Sequence, residues 1–378
     1  MHLHATIEKI SYTPTLCTPL TAIQMNEFIS GKAFEHATFL LDYHGSPIAV
    51  SQWISPKRTR SYPYARVYDT MNHSKRVTII PFVKDEGKDG DRDFLQWDTV
   101  SLMSLLGVYV IIAYYKSAGK SLREKQKDRD KITNQEFDYK YLKSKLDELD
   151  TFKSDALHWN LLQLDSVEDV AERAKECYLN ISRETNVQLH RIEGMDKRIA
   201  ILKKEAESFK KFSRAMATAA QEREYQTIQP KENISARKAK ITINNYLGGE
   251  YHLTIDELVL NEKRAFIVEK KHSEYSGIPS MEDIKDGALK MILFVNLKDV
   301  MIDGKKFEHS PVLGLTSNKI SEFETNFSYR GNDERMLSIC KEGLKNNFYV
   351  LFSKKENQID MDIQKLMDRK HEKNANRK

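Results

Sequence analysis

The chain reads as an α+β protein with α/β character. It should hold a mixed β-sheet core flanked by helices, a mixed α/β N-terminal part and a largely helical middle segment. Three observations predict this. Val77–Val83 and Val108–Tyr115 are apolar runs rich in β-branched and aromatic residues, the composition of buried strands. From Ser121 to Thr227 there is no Pro, and Leu recurs at helical spacing among Lys, Glu, Gln and Asp. Short apolar runs then return, and in Ala265–Val268 every position is apolar, as in a strand covered on both faces.

Taken in order, Asp98–Leu106 between the first two strands reads as a helix, with Asp98 as its N-cap and Gly107 as its stop. Strand, helix, strand at this spacing suggests a βαβ-like unit. In the middle segment Leu142, Leu146 and Leu149 keep one helical face, as do Ile199, Leu202 and Ala206, then Phe209 and Phe212. Pro230 and the polar run 231–240 mark a boundary. Strands are expected near Ile241–Leu247, Tyr251–Leu260 and Ala265–Lys271, a helix over Pro279–Phe294 and a strand over Pro311–Thr316. The expected parts are residues 1–119, 120–229, 230–355 and a basic tail over 356–378.

Composition sets the limits. The 378 residues are 40% hydrophobic and 30% charged, enough for two or three domains with real cores. The net charge of +5 is mild, so a basic face and an acidic site can coexist. Cys17, Cys177 and Cys340 form no CxxC pair, which argues against structural zinc and a disulfide framework and fits a reducing cytoplasm. The first ten residues lack the basic-then-apolar order of a signal peptide. The longest apolar run, Val108–Tyr115, is too short to span a bilayer, so no membrane association is expected.

The chemistry concentrates in Tyr251–Lys271. Asp256 ends one β-like run, and the apolar strand Ala265–Val268 runs straight into Glu269-Lys270-Lys271. Side chains alternate along a strand, so Glu269 and Lys271 share a face and Lys270 points away. A short hairpin through Asn261–Lys263 brings Asp256 beside them. Two carboxylates suit Mg²⁺, which takes only one or two from the protein and keeps several waters. A nearby ammonium can orient a water and offset phosphate charge, completing a kit for phosphodiester hydrolysis. The bland alternative is a surface hairpin with solvated charges. Against it stands the apolar strand, because charges at the end of a buried strand need a reason.

Asp256, Glu269 and Lys271, followed by a helix and a further strand, resemble the core of the PD-(D/E)XK nuclease superfamily, which includes many type II restriction endonucleases. The resemblance covers roughly residues 200–320, and no Pro precedes the Asp. It implies a Mg²⁺-dependent endonuclease acting on double-stranded DNA, with Asp256 and Glu269 holding the metal and Lys271 positioning the attacking water. It also implies a homodimer, whose twofold would match a palindromic site. Members often carry a further Glu on the helix before the first core strand. Glu222 and Glu224 are the candidates here, and sequence does not choose between a ligand and a solubilising role.

Other segments point to DNA less directly. Lys57, Arg58, Arg60 and Arg66 lie among Tyr62, Tyr64 and Tyr68 in a segment stiffened by Pro56 and Pro63. Arg and Lys neutralise phosphates and Arg reads guanine, so this is a candidate DNA contact, with ordinary basic surface as the alternative. Lys285 and Lys290, on the helix after the motif with Asp283 and Asp286, are candidate phosphate contacts or members of an exposed salt-bridged face. The cluster Asp85, Glu86, Asp89, Asp91, Asp93 and Asp98 lacks the EF-hand spacing and reads as a positioning loop or helix start rather than a metal site. His272 lies off the Lys271 face, and His158, His190, His252 and His309 form no ligand pair. The reading from a different class is a non-enzymatic nucleic-acid-binding protein whose helical segment mediates assembly.

Overall fold

A computed structural model describes residues 2–121, 131–191, 239–245, 250–261, 264–320, 323–354, 359 and 361–363. The fold is α+β. The chain forms two compact units: residues 18–217, and a second built from residues 1–17 together with 218–378. This differs from the four consecutive parts expected. The helical segment groups with the N-terminal α/β part, and the first strand leaves that part altogether.

In chain order, β1 (His2–Ile7) belongs to the discontinuous unit. Residues 18–217 begin with β2 (Thr21–Ile23), α1 (Met25–Ile29), β3 (Thr38–Tyr43), β4 (Ser46–Gln52) and α2 (Pro63–Asp69). Next come β5 (Arg76–Pro81), the ribbon β6 (Val83–Asp85) and β7 (Arg92–Phe94), α3 (Trp97–Leu105) and β8 (Tyr109–Ala113). The sheet order is β2-β3-β4-β5-β8, and β5 lies parallel to β8 with α3 between them in sequence. That is the βαβ unit the apolar runs predict. Gly107, at φ +66°, ends α3 in the left-handed region, where a missing Cβ removes the strain. The N-cap is Gln96, so Asp98 falls inside the first turn rather than at its cap.

The segment expected to be largely helical includes one strand, β10 (Ile132–Phe137), which pairs with β9 (Tyr115–Lys120) just before it. Helices α4 (Tyr139–Thr151), α5 (Ala156–Asp165) and α6 (Val167–Thr185) follow. Asp138 caps α4 by accepting from the Lys140 and Tyr141 amides, and Leu142, Leu146 and Leu149 are fully buried. The polar group that docks α5 is Asn160. Its side-chain oxygen accepts from the Val110 amide at 2.7 Å while its amide donates to the Val108 carbonyl at 3.0 Å. Ile199, Leu202, Ala206, Phe209 and Phe212 lie outside the described residues, as do Glu222, Glu224 and residues 364–378 of the tail.

The discontinuous unit holds β11 (Ala239–Asn245), β12 (Glu250–Ile255), β13 (Glu257–Asn261), β14 (Arg264–Ser273), α7 (Met281–Phe294), β15 (Lys298–Ile302), β16 (Lys305–Lys306), β17 (Glu308–Ser317), β18 (Glu324–Thr325), α8 (Glu334–Lys345) and β19 (Tyr349–Ser353). One sheet runs β12-β11-β1-β15-β16, with β1 parallel to β11 and antiparallel to β15. The other runs β13-β14-β17-β19-β18. In it β13 and β14 form an antiparallel hairpin, whereas β14, β17 and β19 are parallel. The run expected over Tyr251–Leu260 therefore breaks at Asp256, where the chain passes from one sheet to the other.

Residues 12–15 are held by α8. Glu342, fully buried, accepts from the Tyr12 hydroxyl and the Thr15 amide, each at 2.6 Å. Among the described residues no helix is long and apolar enough to cross a membrane.

Candidate active site

The site is built on β14. Ala265, Phe266, Ile267 and Val268 are all at most 3% exposed, so both faces of the strand are covered. Fully burying one such side chain contributes about 1.5–3 kcal/mol, which fixes the strand's depth and register. Phe266 and Val268 face a cluster with Val312, Leu351 and Ile359. The odd-numbered positions face α7. Strand alternation then places Glu269 and Lys271 under the helix and Lys270 on the other side, where it pairs with Glu257 at 2.6 Å.

Helix α7 starts at Ser280, whose hydroxyl accepts from the Asp283 amide at 3.1 Å. Gly287 lets it lie close to the sheet. A Cβ there would stand 2.8 Å from Leu313 Cδ1, 3.3 Å from Lys271 Cε and 3.6 Å from Glu269 Cγ. Asp286 and Lys290, one turn apart, flank this contact and reach the strand residues. Lys290 Nζ donates to both Glu269 oxygens at 2.8 Å. Lys271 Nζ lies 3.2 Å from Glu269 Oε1 and 2.8 Å from Asp286 Oδ2.

Asp256 stands one residue beyond the Glu257–Val268 pair, which continues the register to Glu269. Its Oδ2 accepts from the Lys270 amide at 2.8 Å. Asp256, Glu269, Asp286, Lys271 and Lys290 thus form one electrostatic cluster, with three carboxylates against two ammonium groups.

Burial dominates the protonation of Glu269, which is 1% exposed. Desolvation, and secondarily the Asp256 charge, holds its pKa above the ordinary value despite Lys290 and Lys271. Burial works against the charge of Lys271, but Glu269 and Asp286 outweigh it and hold its pKa above the ordinary value. Lys290 follows the same pattern, with Glu269 the chief opposing charge and Asp256 next. Lys271 is therefore a charged donor at neutral pH, able to orient a water but not to take its proton.

Among the described residues no group of three or more His, Cys, Asp or Glu is placed to hold a metal ion. A Mg²⁺ ion asks for less, one or two carboxylates and the rest water, and the donors that fit are Asp256 and Glu269. Lys290 occupies Glu269 in this arrangement and would have to yield a carboxylate oxygen.

The other cations proposed for DNA contact divide. Lys290 serves Glu269 rather than solvent, and Lys285 is only 6% exposed. In the N-terminal segment residues 63–69 form α2 rather than a loop. Arg66 is drawn in to donate to the Gln52 carbonyl at 2.7 Å. Arg60 binds Glu86 at 2.5 Å, Asp93 at 3.4 Å and Asp91. Three members of the acidic cluster thus share one guanidinium, and Asp85 contacts His190 at 2.8 Å. Lys57 is exposed, and Arg58 is half-buried with a long contact of 3.4 Å to the Tyr64 hydroxyl.

Sequence spacing had put Asp286 and Lys290 on one helical face, but not against Glu269. The available signal was Gly287, a helix-interior glycine that permits close approach. His272 meets Thr316 Oγ1 at 2.8 Å, its register partner on β17. Comparison of the chain with protein-family models, curated proteins and solved structures finds no match.

Proposed function

We propose that the chain is a Mg²⁺-dependent DNA endonuclease of the PD-(D/E)XK type. The observation that carries this reading is the meeting of Asp256, Glu269 and Lys271 at the end of a buried hairpin, beneath the helix that follows β14 in the chain. Asp256 and Glu269 would bind the ion. Bound Mg²⁺ would supply Lewis-acid stabilisation of charge on the scissile phosphate. Lys271, fixed between Glu269 and Asp286, would orient the attacking water by donating a hydrogen bond. Charge balance supports this assignment. Three carboxylates and two ammonium groups leave one net negative charge, and a dication turns that into a net positive site for a phosphodiester.

The substrate would be double-stranded DNA, cut at a defined sequence, with a homodimer matching a palindrome by family analogy. Lys57 and Arg58 are the cations best presented for phosphate contact. The competing reading, a non-catalytic nucleic-acid-binding protein, draws on the clamp of Lys290 on Glu269, which on its own would merely fasten α7 to the sheet. Supercoiled plasmid decides between them. Nicking or linearisation with Mg²⁺, absent with EDTA and in Lys271→Ala, supports the nuclease. Binding without cutting at any Mg²⁺ concentration supports the alternative.

A further inference from the structure

The two units follow the same chain path. In residues 18–217 the antiparallel hairpin β3–β4 leads into parallel β5 and then parallel β8. In the discontinuous unit the hairpin β13–β14 leads into parallel β17 and then parallel β19. A helix intervenes at the same two steps, α2 and α3 in one unit, α7 and α8 in the other. Even the helix stop recurs. Gly107 at φ +66° and Asn347 at φ +59° stand at the same distance past α3 and α8. The next amide then reaches back, Val108 to the Met103 carbonyl at 2.9 Å and Phe348 to the Gly343 carbonyl at 3.0 Å.

Ladder register turns this likeness into a residue map. Tyr109 pairs with Val77 as Tyr349 pairs with Val312. Val77 pairs with Val50 as Val312 pairs with Val268. Val50 pairs with Phe39 as Val268 pairs with Glu257. Thr38–Trp53 therefore matches Asp256–Lys271 without insertion, and Thr38, Ser51 and Trp53 stand where the other unit has Asp256, Glu269 and Lys271. Those three supply neither carboxylate nor ammonium. Ser51 is fully buried, and Trp53, 1% exposed, meets Tyr64 of α2 edge-on at 6.1 Å. At the matching place Lys271 meets Asp286 of α7 through an ion pair. Glu86 and Asp93, beside the β6–β7 ribbon, are both held by Arg60. The copy has kept strands, helices and caps while packing replaced the charges, and a fold can persist in this way without its chemistry. It also keeps cations beyond the matching strand end. The exposed Lys57, with Arg58, lies on the connection from β4 to α2, as residues 274–280 lie on that from β14 to α7.

We infer that residues 18–217 hold a second copy of the nuclease core that grips duplex DNA and does not cut it, which leaves each chain one cutting centre. That centre is the proposed Asp256, Glu269 and Lys271 site, on whose reading the count rests. The grip does not. Phosphate contacts by Lys and Arg need no metal, so it persists in EDTA.

The test uses the full chain and plasmid DNA. A photo-crosslinking p-benzoylphenylalanine replaces Thr59 or Tyr275, both exposed and each on the connection that follows the matched strand. In EDTA both proteins should crosslink to the duplex, and the Thr59 probe should lose most of its signal when Lys57→Ala and Arg58→Ala are added. In Mg²⁺, Glu269→Gln should slow nicking and linearisation together, each by at least about a hundredfold. Thermal unfolding shows whether each variant is folded. Crosslinking at Tyr275 but not at Thr59 overturns the grip. A folded Glu269→Gln that nicks at near the wild-type rate reveals a second centre and overturns the silence of the copy. A wild-type chain that crosslinks at Thr59 yet never cuts overturns the nuclease reading and leaves the grip standing.

Discussion

Lys290 Nζ stands 2.8 Å from each carboxylate oxygen of Glu269, so the buried acid of the strand is gripped by a cation from the helix above it. Removing one partner of a buried pair leaves the other uncompensated, at a cost of about 3–5 kcal/mol in the extreme. Lys271 softens that here, and Lys290→Met should destabilise the fold by about 1–3 kcal/mol. Glu269→Gln in the Lys290→Met background should recover part of the loss. Denaturant unfolding of the four proteins of this cycle gives the coupling directly. Additive effects would mean that the clamp contributes nothing.

Catalysis and binding should separate. Glu269→Gln and Lys271→Ala are expected to cut at least about a hundredfold more slowly, the usual cost of one electrostatic group at the reacting centre. DNA affinity, set by phosphate contacts elsewhere, should change little. Single-turnover cleavage with gel-shift titration at the same salt concentration distinguishes the two effects. Near wild-type cutting by either variant would remove the residue it replaces from the reaction.

Acid should weaken metal binding early. Protons compete with the ion for Glu269, whose pKa burial holds above the ordinary value of about 4.3. Mg²⁺ or Mn²⁺ affinity should therefore fall at a pH above the usual carboxylate range. Without metal the sign for stability is reversed from the common carboxylate case. A raised folded pKa adds stability below the unfolded value and loses it as pH rises through the folded one. Glu269→Gln should remove that contribution. Calorimetric metal titration and unfolding midpoints across pH 4–8, wild type against variant, check both halves.

Gly287→Ala tests how close α7 must lie. The new methyl would meet Leu313 at 2.8 Å and Lys271 at 3.3 Å, and overpacking of this kind costs about 1–3 kcal/mol. Because the helix carries Asp286 and Lys290, cutting should fall along with stability. An unchanged melting temperature would show that the helix can rise from the sheet freely.

Arg60 and its neighbours should behave differently despite their shared charge. Arg60→Ala should destabilise residues 18–217, since it leaves Glu86, Asp91 and Asp93 without their common cation. Lys57→Ala with Arg58→Ala should leave stability intact but flatten the salt dependence of DNA binding by about 0.9 per lost phosphate contact. Salt titrations of affinity and thermal melts on the same proteins separate these outcomes.

Local chemistry was legible in the sequence, and partnership was not. The all-apolar run before Glu269 announced a buried strand, Leu142, Leu146 and Leu149 announced a buried helical face, and strand alternation put Glu269 with Lys271. Periodicity carries no information about which strand lies next door, so the passage of the chain between sheets at Asp256 left no trace. The same limit hid Arg60. Its basic, aromatic surroundings suggested an outward role, while the carboxylates that hold it lie about thirty positions later. Lys290 was placed on the right helical face, but helical spacing cannot say that the face turns toward a buried acid.

The place of β1 governs how the chain can be made. His4 lies between Thr242 on one side and Met301 on the other, so the first strand is in the middle of its sheet rather than at an edge. A growing chain presents β1 long before either neighbour exists, and at about 5–20 residues per second the wait lasts roughly ten seconds or more. Residues 18–217 can meanwhile complete their own sheet. Vectorial synthesis therefore finishes the unit holding Asp256 and Glu269 last. A bulky fusion placed ahead of His2 would burden that unit, although its chemistry lies more than two hundred residues downstream.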